Sequence, residues 1–204
     1  MRLEPGFYGR DVVTVARELL GCELVRDDVR LRITEVEAYA AHDTACHAHR
    51  GRTPRNAVMF GPPGHAYVYL CYGLHVMLNV VADVDGVAAA VLVRSVEPLG
   101  GDATWQARRG GRTGPVALTG PGKVGAALGL DVSWSGHALH APGGLELHAG
   151  ERPERVRVGP RVGIDYAKAV DRRRAWRFAL GDSVWVSVPK TLGPARRLRY
   201  KGAP

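Results

Sequence analysis

Residues 87–96 read VAAAVLVRSV, a run with no polar residue before Arg94 and Ser95. A strand wetted on one face alternates apolar and polar residues, whereas an unbroken Val- and Ala-rich run fits a strand buried on both faces near the centre of a sheet. Such a strand cannot carry Arg94 unless a carboxylate reaches it, because an unpaired buried charge is strongly unfavourable. Candidate carboxylates lie in a second strand, predicted over 29–38. There strict alternation puts Leu31, Ile33, Glu35, Glu37 and Tyr39 on one face. A face that starts apolar and ends in two acids and an aromatic describes a strand leaving the core at a cleft.

The remaining elements follow from spacing. Asp11 is an N-cap candidate for a helix with Val12, Val15 and Leu19 on its packing face, closed by Gly21. A strand over 22–26 precedes the Asp27-Asp28 turn. Residues 40–64 hold no sustained period and are dense in His, Arg, Gly and Pro, which predicts a long functional loop. After the GPPG turn at 61–64, strands over 65–72 and 74–82 form a hairpin that turns at Gly73, with Tyr72 at its tip. Residues 100–115 read as a mobile Gly- and Arg-rich loop in which Arg108, Arg109 and Arg112 either follow a phosphate backbone or are simply solvated. A short glycine-led helix is expected over 120–130, its backbone N–H groups available to a phosphate. Later strands are expected over 155–158 and 183–188, on either side of the basic segment 171–178. At 204 residues and 46% hydrophobic content, with no linker, the chain is read as one domain spanning 1–204.

A net charge of +8 favours a polyanionic partner, nucleic acid or an anionic membrane surface. Only Lys123, Lys168, Lys190 and Lys201 are lysines, so the positive charge is mostly guanidinium, suited to bidentate phosphate contact. Cys22, Cys46 and Cys71 are odd in number and form no C-x-x-C pair, which argues against a disulfide framework or a zinc ribbon. MRLEPGFYGR lacks the apolar core of a secretory leader, and no apolar run approaches bilayer length, so a cytoplasmic protein is expected.

The chemistry-bearing residues gather between Ile33 and Asn79. Two carboxylates on one face cannot straddle a glycosidic bond, so one of Glu35 and Glu37 is expected to do chemistry while the other pairs with an arginine. His42, Cys46, His47 and His49 lack the spacing of a metal site, and no metal or other cofactor is expected. Tyr67 reads as an ordinary strand aromatic. Tyr72, at a turn with no core to fill, suits base stacking or insertion into a duplex. Asn79, in an apolar strand, either satisfies itself in the core or faces the cleft. No lysine lies in this stretch, which leaves no amine for a Schiff base there.

These residues resemble a known family. ITEVEAY, the segment from His47 to Asn56 (HAHRGRTPRN), MFGPPGHAYVYLCYG and VLVRSVEPLGG match, in order, the alkyladenine (3-methyladenine, methylpurine) DNA glycosylases of the mammalian alkyladenine glycosylase type. Weaker similarity continues through LTGPGKVGAALGL, PRVGI and RFALGDSVWVS. The resemblance implies that Glu37 activates the attacking water, helped by Arg94 and the backbone carbonyl of Ile164. Tyr39 and Tyr69 would sandwich an extruded base, His47 would close the pocket, and Asn79 would bear on the purine edge. Tyr72 would fill the hole left in the duplex, while Arg52, Thr53, Arg55 and Leu74 would meet the DNA backbone. The implied fold is a single mixed α/β (α+β) domain, a curved and largely antiparallel sheet flanked by helices with a protruding hairpin. The implied activity is monofunctional: release of 3-methyladenine, 7-methylguanine, hypoxanthine or ethenoadenine from double-stranded DNA by a monomer, without lyase chemistry. A non-catalytic module that binds damaged duplex is the leading alternative, and a metal-dependent hydrolase built on the histidines is a second.

Overall fold

The computed structural model describes residues 1–198; Lys201 lies outside them. The strands are β1 Glu23–Arg26, β2 Val29–Ala40, β3 Ala66–Cys71, β4 His75–Val81, β5 Ala89–Gly100, β6 Leu145–His148, β7 Arg155–Gly159, β8 Arg177–Leu180 and β9 Arg196–Arg197. The helices are α1 Pro5–Tyr8, α2 Val12–Leu19, α3 Asp102–Arg108, α4 Pro115–Leu118, α5 Pro121–Ala127 and α6 Ala169–Arg172. All strand pairings are antiparallel, in the order β3-β4-β5-β2-β8-β7-β9, with β1 bridging β2 and β6. The apolar run of β5 therefore lies inside the sheet, between β4 and β2, as its composition demands.

One face of the sheet carries the main core. Val12, Val15 and Leu19 of α2, Trp105 of α3 and Val124 of α5 pack there against Leu31, Val36, Val91 and Val93. Asp11 caps α2 by accepting from the Thr14 amide at 2.9 Å. The other face is covered by the 41–61 loop, where Cys46, Ala48 and Met59 meet Tyr67, Ala88 and Ala90.

Strict alternation fails in β2, and the site depends on that failure. Ile33 pairs with Val96, Glu35 with Ser95 and Val36 with Val93, so the ladder is irregular on both sides of Glu35. Leu31 and Ile33 face the helical core, but so do Val36, Ala38 and Ala40. The phase slips by one residue at Thr34, and the expected single face is split. Glu35, Glu37 and Tyr39 are turned away from Leu31 and Ile33 to the opposite side, because a bulge re-aims every side chain beyond it. On β5 the same slip puts both Val93 and Val96 in the core and releases Arg94 to the carboxylate side.

Glu35 is the hub of a buried network that ties β2, β5, β8 and the 185–188 segment together. Its Oε1 accepts from Arg94 Nε at 3.1 Å, Arg177 Nη1 at 3.1 Å and Ser187 Oγ at 3.0 Å. Its Oε2 accepts from Ser95 Oγ at 2.7 Å and the Ser187 amide at 2.6 Å. This network explains why residues 183–188 form no strand, contrary to expectation. The Ser187 amide and carbonyl bond the side chains of Glu35 and Arg177, and the Trp185 carbonyl accepts from Thr34 Oγ1. Among the described residues no neighbouring strand receives them.

Residues 100–115 also depart from the loop expectation, since 102–108 form α3. Arg108 reaches Asp27 at 3.0 Å, and Arg109 Nε donates to the Ala117 carbonyl at 2.9 Å. The glycines around α5 serve packing. A Cβ on Gly125 would sit 2.2 Å from the Val76 carbonyl oxygen, and the Gly120 amide is spent on the Arg94 carbonyl. Removing one member of a buried ion network leaves uncompensated charge, typically costing about 3–5 kcal/mol. Glu35→Gln should therefore lower unfolding stability by about that amount in equilibrium denaturation, because it leaves two buried guanidiniums to share Glu37.

Candidate active site

Glu37 is fully buried two residues beyond the bulge. Its Oε2 accepts from the Tyr39 hydroxyl at 2.8 Å and lies 3.2 Å from Arg94 Nη1, and its Oε1 accepts from the Val162 amide at 2.7 Å. Every neighbour is a donor, which is the setting of an acceptor-only carboxylate. Arg94 spans both acids: burial opposes its charge, but Glu37 and Glu35 outweigh burial and raise its pKa. The Tyr39 hydroxyl is held well above its ordinary pKa by burial and by Glu37, and so remains a donor.

Tyr39 links this acid to a cavity. Its ring lines a pocket of about 50 Å³ together with Ala45, His47, Met59, Tyr67, Tyr69, Asn79, Ala90 and Tyr166. The ring is backed by Arg161, whose guanidinium carbon lies 4.6 Å from its centroid. Arg161 is itself fixed by Asp43 and by the Ala38 carbonyl at 2.8 Å. A larger open hollow of about 460 Å³ is bordered by acids, Glu97, Glu151, Glu154 and Asp182, but by a single aromatic side chain, Trp185.

The far wall comes from the hairpin and the loop. Tyr67 and Tyr69 alternate onto the same side of β3, with ring centroids 5.4 Å apart. Tyr67, expected to be an ordinary strand aromatic, is a pocket wall instead; its hydroxyl bonds His47 Nδ1 at 2.9 Å. Period-two spacing from Tyr69 was the signal for it. Burial pushes the Tyr67 phenol up to about 12, while burial and Arg55 lower the pKa of His47, keeping the imidazole neutral near pH 7. His47 also stands edge-on to Tyr69 at 4.6 Å. Asn79 is buried, donates to the Tyr67 carbonyl at 3.0 Å and lines the pocket, so it answers both expectations at once.

The other histidines diverge. His42 packs edge-on against Trp176, and His49 Nδ1 bonds the Cys46 carbonyl at 2.9 Å. Among the described residues no group of three or more His, Cys, Asp or Glu is arranged to hold a metal ion. Ile164 is buried near the site, but its carbonyl accepts from the Ala167 amide at 3.0 Å, and the Val162 amide is the group from this segment that reaches Glu37. Nothing in the spacing of PRVGI singled out Val162. Tyr166 was missed as well, and Arg177, Ser95 and Ser187 gave no sequence signal beyond the need for partners.

Beyond the pocket, Tyr72 is 92% exposed at the hairpin tip. Tyr72 and Gly73 have φ of +50° and +69°, and the Leu74 amide closes the turn on the Cys71 carbonyl at 3.0 Å. Two left-handed central residues define the type I′ hairpin turn, and a tyrosine there carries backbone strain that a glycine would not. Leu74 is 78% exposed beside it. Arg52, Thr53 and Arg55 are exposed along the loop; Arg55 crosses to the Leu70 carbonyl at 3.1 Å and lies over the Tyr69 ring. Asn56 ties this segment down by donating to the carbonyls of His47 and Gly51.

Comparison with known proteins gives the family. A family model described as methylpurine-DNA glycosylase (MPG) matches residues 6–184. A protein of Arabidopsis thaliana named DNA-3-methyladenine glycosylase is 58% identical over 195 residues, 94% of this chain and 77% of that one. A Nitrosococcus oceani protein, named provisionally as a 3-methyladenine DNA glycosylase, is 52% identical over 96% of this chain and 98% of its own length. One from Methanoculleus marisnigri, named in the same provisional way, is 47% identical over 92% and 99%. With a family model over residues 6–184 and relatives 52–58% identical over nearly all of it, the chain belongs to the methylpurine-DNA glycosylase family of DNA repair enzymes.

Proposed function

We propose that this chain extrudes alkylated or deaminated purines from duplex DNA into the Tyr39–Tyr69 pocket and hydrolyses the N-glycosidic bond with a water activated by Glu37. The observation that carries this reading is the contrast between two buried acids two residues apart. Glu35 accepts five hydrogen bonds, which saturates an ionised carboxylate with about four lone-pair sites, some shared. Glu37 meets three donors, so about one site remains for a water. Only Glu37 keeps capacity for chemistry.

The steps follow from the substrate. A stacked base cannot be reached, so it is rotated out at a cost of a few kcal/mol, least for damaged or mispaired bases. Tyr72, strained and solvent-facing, offsets that cost by occupying the gap. Tyr39 and Tyr69 take the base between them, and their faces favour a cationic, N-alkylated purine. Asn79 bears on its edge, while His47, neutral and turned by Tyr67, donates from its other nitrogen toward the sugar–phosphate. As the glycosidic bond breaks, both its electrons leave with the base. Glu37 stabilises the oxocarbenium-like sugar and takes a proton from the water that adds to it, with Arg94 beside it and the Val162 amide holding the carboxylate in place. The products are a free base and an abasic site. No lysine lines the pocket, which supports a monofunctional reaction without lyase chemistry. The reading extends, for a monomer, to 3-methyladenine and 7-methylguanine, which depart as neutral bases, and to hypoxanthine and ethenoadenine, whose departure also needs a proton donor to the base.

Arg52, Thr53, Arg55 and Leu74 would meet the DNA backbone on one side of the hairpin. Arg109, Arg112 and Lys123 border a separate hollow that reaches Leu74 and His75 of the hairpin. Burial and mutual repulsion lower the pKa of Arg109 and Lys123, as expected of cations gathered without an acid. Arg108, paired with Asp27, is not part of this grip.

Single-turnover release of base from duplexes carrying 3-methyladenine or hypoxanthine, in EDTA, tests the reaction. The parent should release both, and Glu37→Gln should bind the duplexes but release neither; intact binding without release by the parent would favour the binding-module alternative. Replacing Arg112 and Lys123 together with alanine should reduce the slope of log K against log[salt] by roughly 2, about 0.9 per lost phosphate contact. An unchanged slope would return both residues to solvent.

A further inference from the structure

We propose that Tyr166 is a further base-contacting residue, a hinged wall that latches the unoccupied pocket shut and must release to admit a purine. This rests on the base-extrusion reading above and deepens it.

The pocket is too small as it stands. Its 50 Å³ is well below the roughly 150 Å³ of a cavity that takes a single six-membered ring. A two-ring base does not fit unless a wall moves. Most walls are fixed: Tyr39 is held by Glu37 and Arg161, Tyr67 and Asn79 are buried and mutually bonded, and Tyr69 packs against Tyr67 and His47. Tyr166 differs from all of them. It lines the pocket yet is 70% exposed, and among the described residues its one side-chain hydrogen bond runs from its hydroxyl to the Ala45 carbonyl on the facing loop, at 3.0 Å.

The backbone beneath it is held. The Ala167 amide bonds the Ile164 carbonyl, and the Lys168 amide bonds Thr44 Oγ1, each at 3.0 Å. Thr44 is tied in turn to Asp171 through both its hydroxyl and its amide. Motion therefore falls to the side chain, which can swing about two torsions once a single bond to Ala45 breaks. Tyr166 also shares the pocket lining with Tyr39, His47 and Tyr69, the groups proposed to receive the base.

The latch is one hydrogen bond, whose removal corresponds to about a 2- to 13-fold change in rate. The test is stopped-flow fluorescence of a duplex containing 1,N6-ethenoadenine, in a Glu37→Gln background that halts the chemistry. Tyr166→Phe keeps the ring and loses the latch; it should capture the base about 2- to 13-fold faster than the Glu37→Gln parent. Tyr166→Ala should capture at least as fast and release the base sooner when challenged with unlabelled duplex, because the wall itself is gone. A capture rate in Tyr166→Phe equal to or below that of a parent that extrudes normally overturns the role of Tyr166 alone. Duplex binding by the Glu37→Gln parent with no change in ethenoadenine fluorescence overturns the extrusion reading and the gate with it.

Discussion

Arg94 sits between two buried carboxylates, and the arrangement of the molecule turns on how it is shared. Its Nε bonds Glu35 and its Nη1 meets Glu37, 3.1 Å and 3.2 Å away. A guanidinium in the middle of a sheet is tolerable only with such partners. Arg177 brings a second positive charge to Glu35, so two acids and two bases balance within the sheet. The result is an acid, Glu37, held rigidly in a dry setting without being used up. In the proposed reaction a carboxylate fixed in this way would need no reorganisation as positive charge develops on the sugar, the condition under which electrostatic stabilisation is most effective.

The bulge makes that sharing possible. In a regular β2, Glu35 and Glu37 would stand on the same face as Leu31 and Ile33, directed at the helical core. The slip at Thr34 turns them to the opposite face, where Ser187 and Val162 meet them, and the matching slip on β5 brings Arg94 with them. The sheet thus keeps a continuous apolar core on one side and assembles its polar chemistry on the other. The pocket aromatics need no such device, because Tyr67 and Tyr69 reach that face by plain alternation on β3. The hairpin then carries Tyr72 outward on a turn whose conformation costs energy, as residues at functional sites often do.

Much of this was legible in the residues. The apolar run containing Arg94 signalled a central strand and a buried ion pair, and the Tyr72-Gly73 pair signalled a hairpin tip with an exposed aromatic. The side to which Glu35 and Glu37 point was not legible, since a bulge is set by how two strands register and leaves no mark on either strand alone. Residues 183–188 read as a strand by composition, yet their backbone is claimed by Glu35, Arg177 and Thr34, partners more than a hundred residues away or on another strand. The Arg-rich loop hid α3 because glycines and arginines masked a helix anchored by a single buried tryptophan, Trp105. Val162 and Tyr166 act through a backbone amide and a long-range contact, and neither has a spacing rule.

The central claim is that a base leaves the duplex for the pocket walled by Tyr39 and Tyr69, beside Glu37. A crystal structure of the Glu37→Gln variant bound to a duplex with one ethenoadenine tests it most directly. The account predicts the lesion between the two tyrosine rings, Tyr72 in the vacated stack and the sugar C1′ facing residue 37. A lesion still stacked in the duplex, or held in another hollow of the surface, would contradict it.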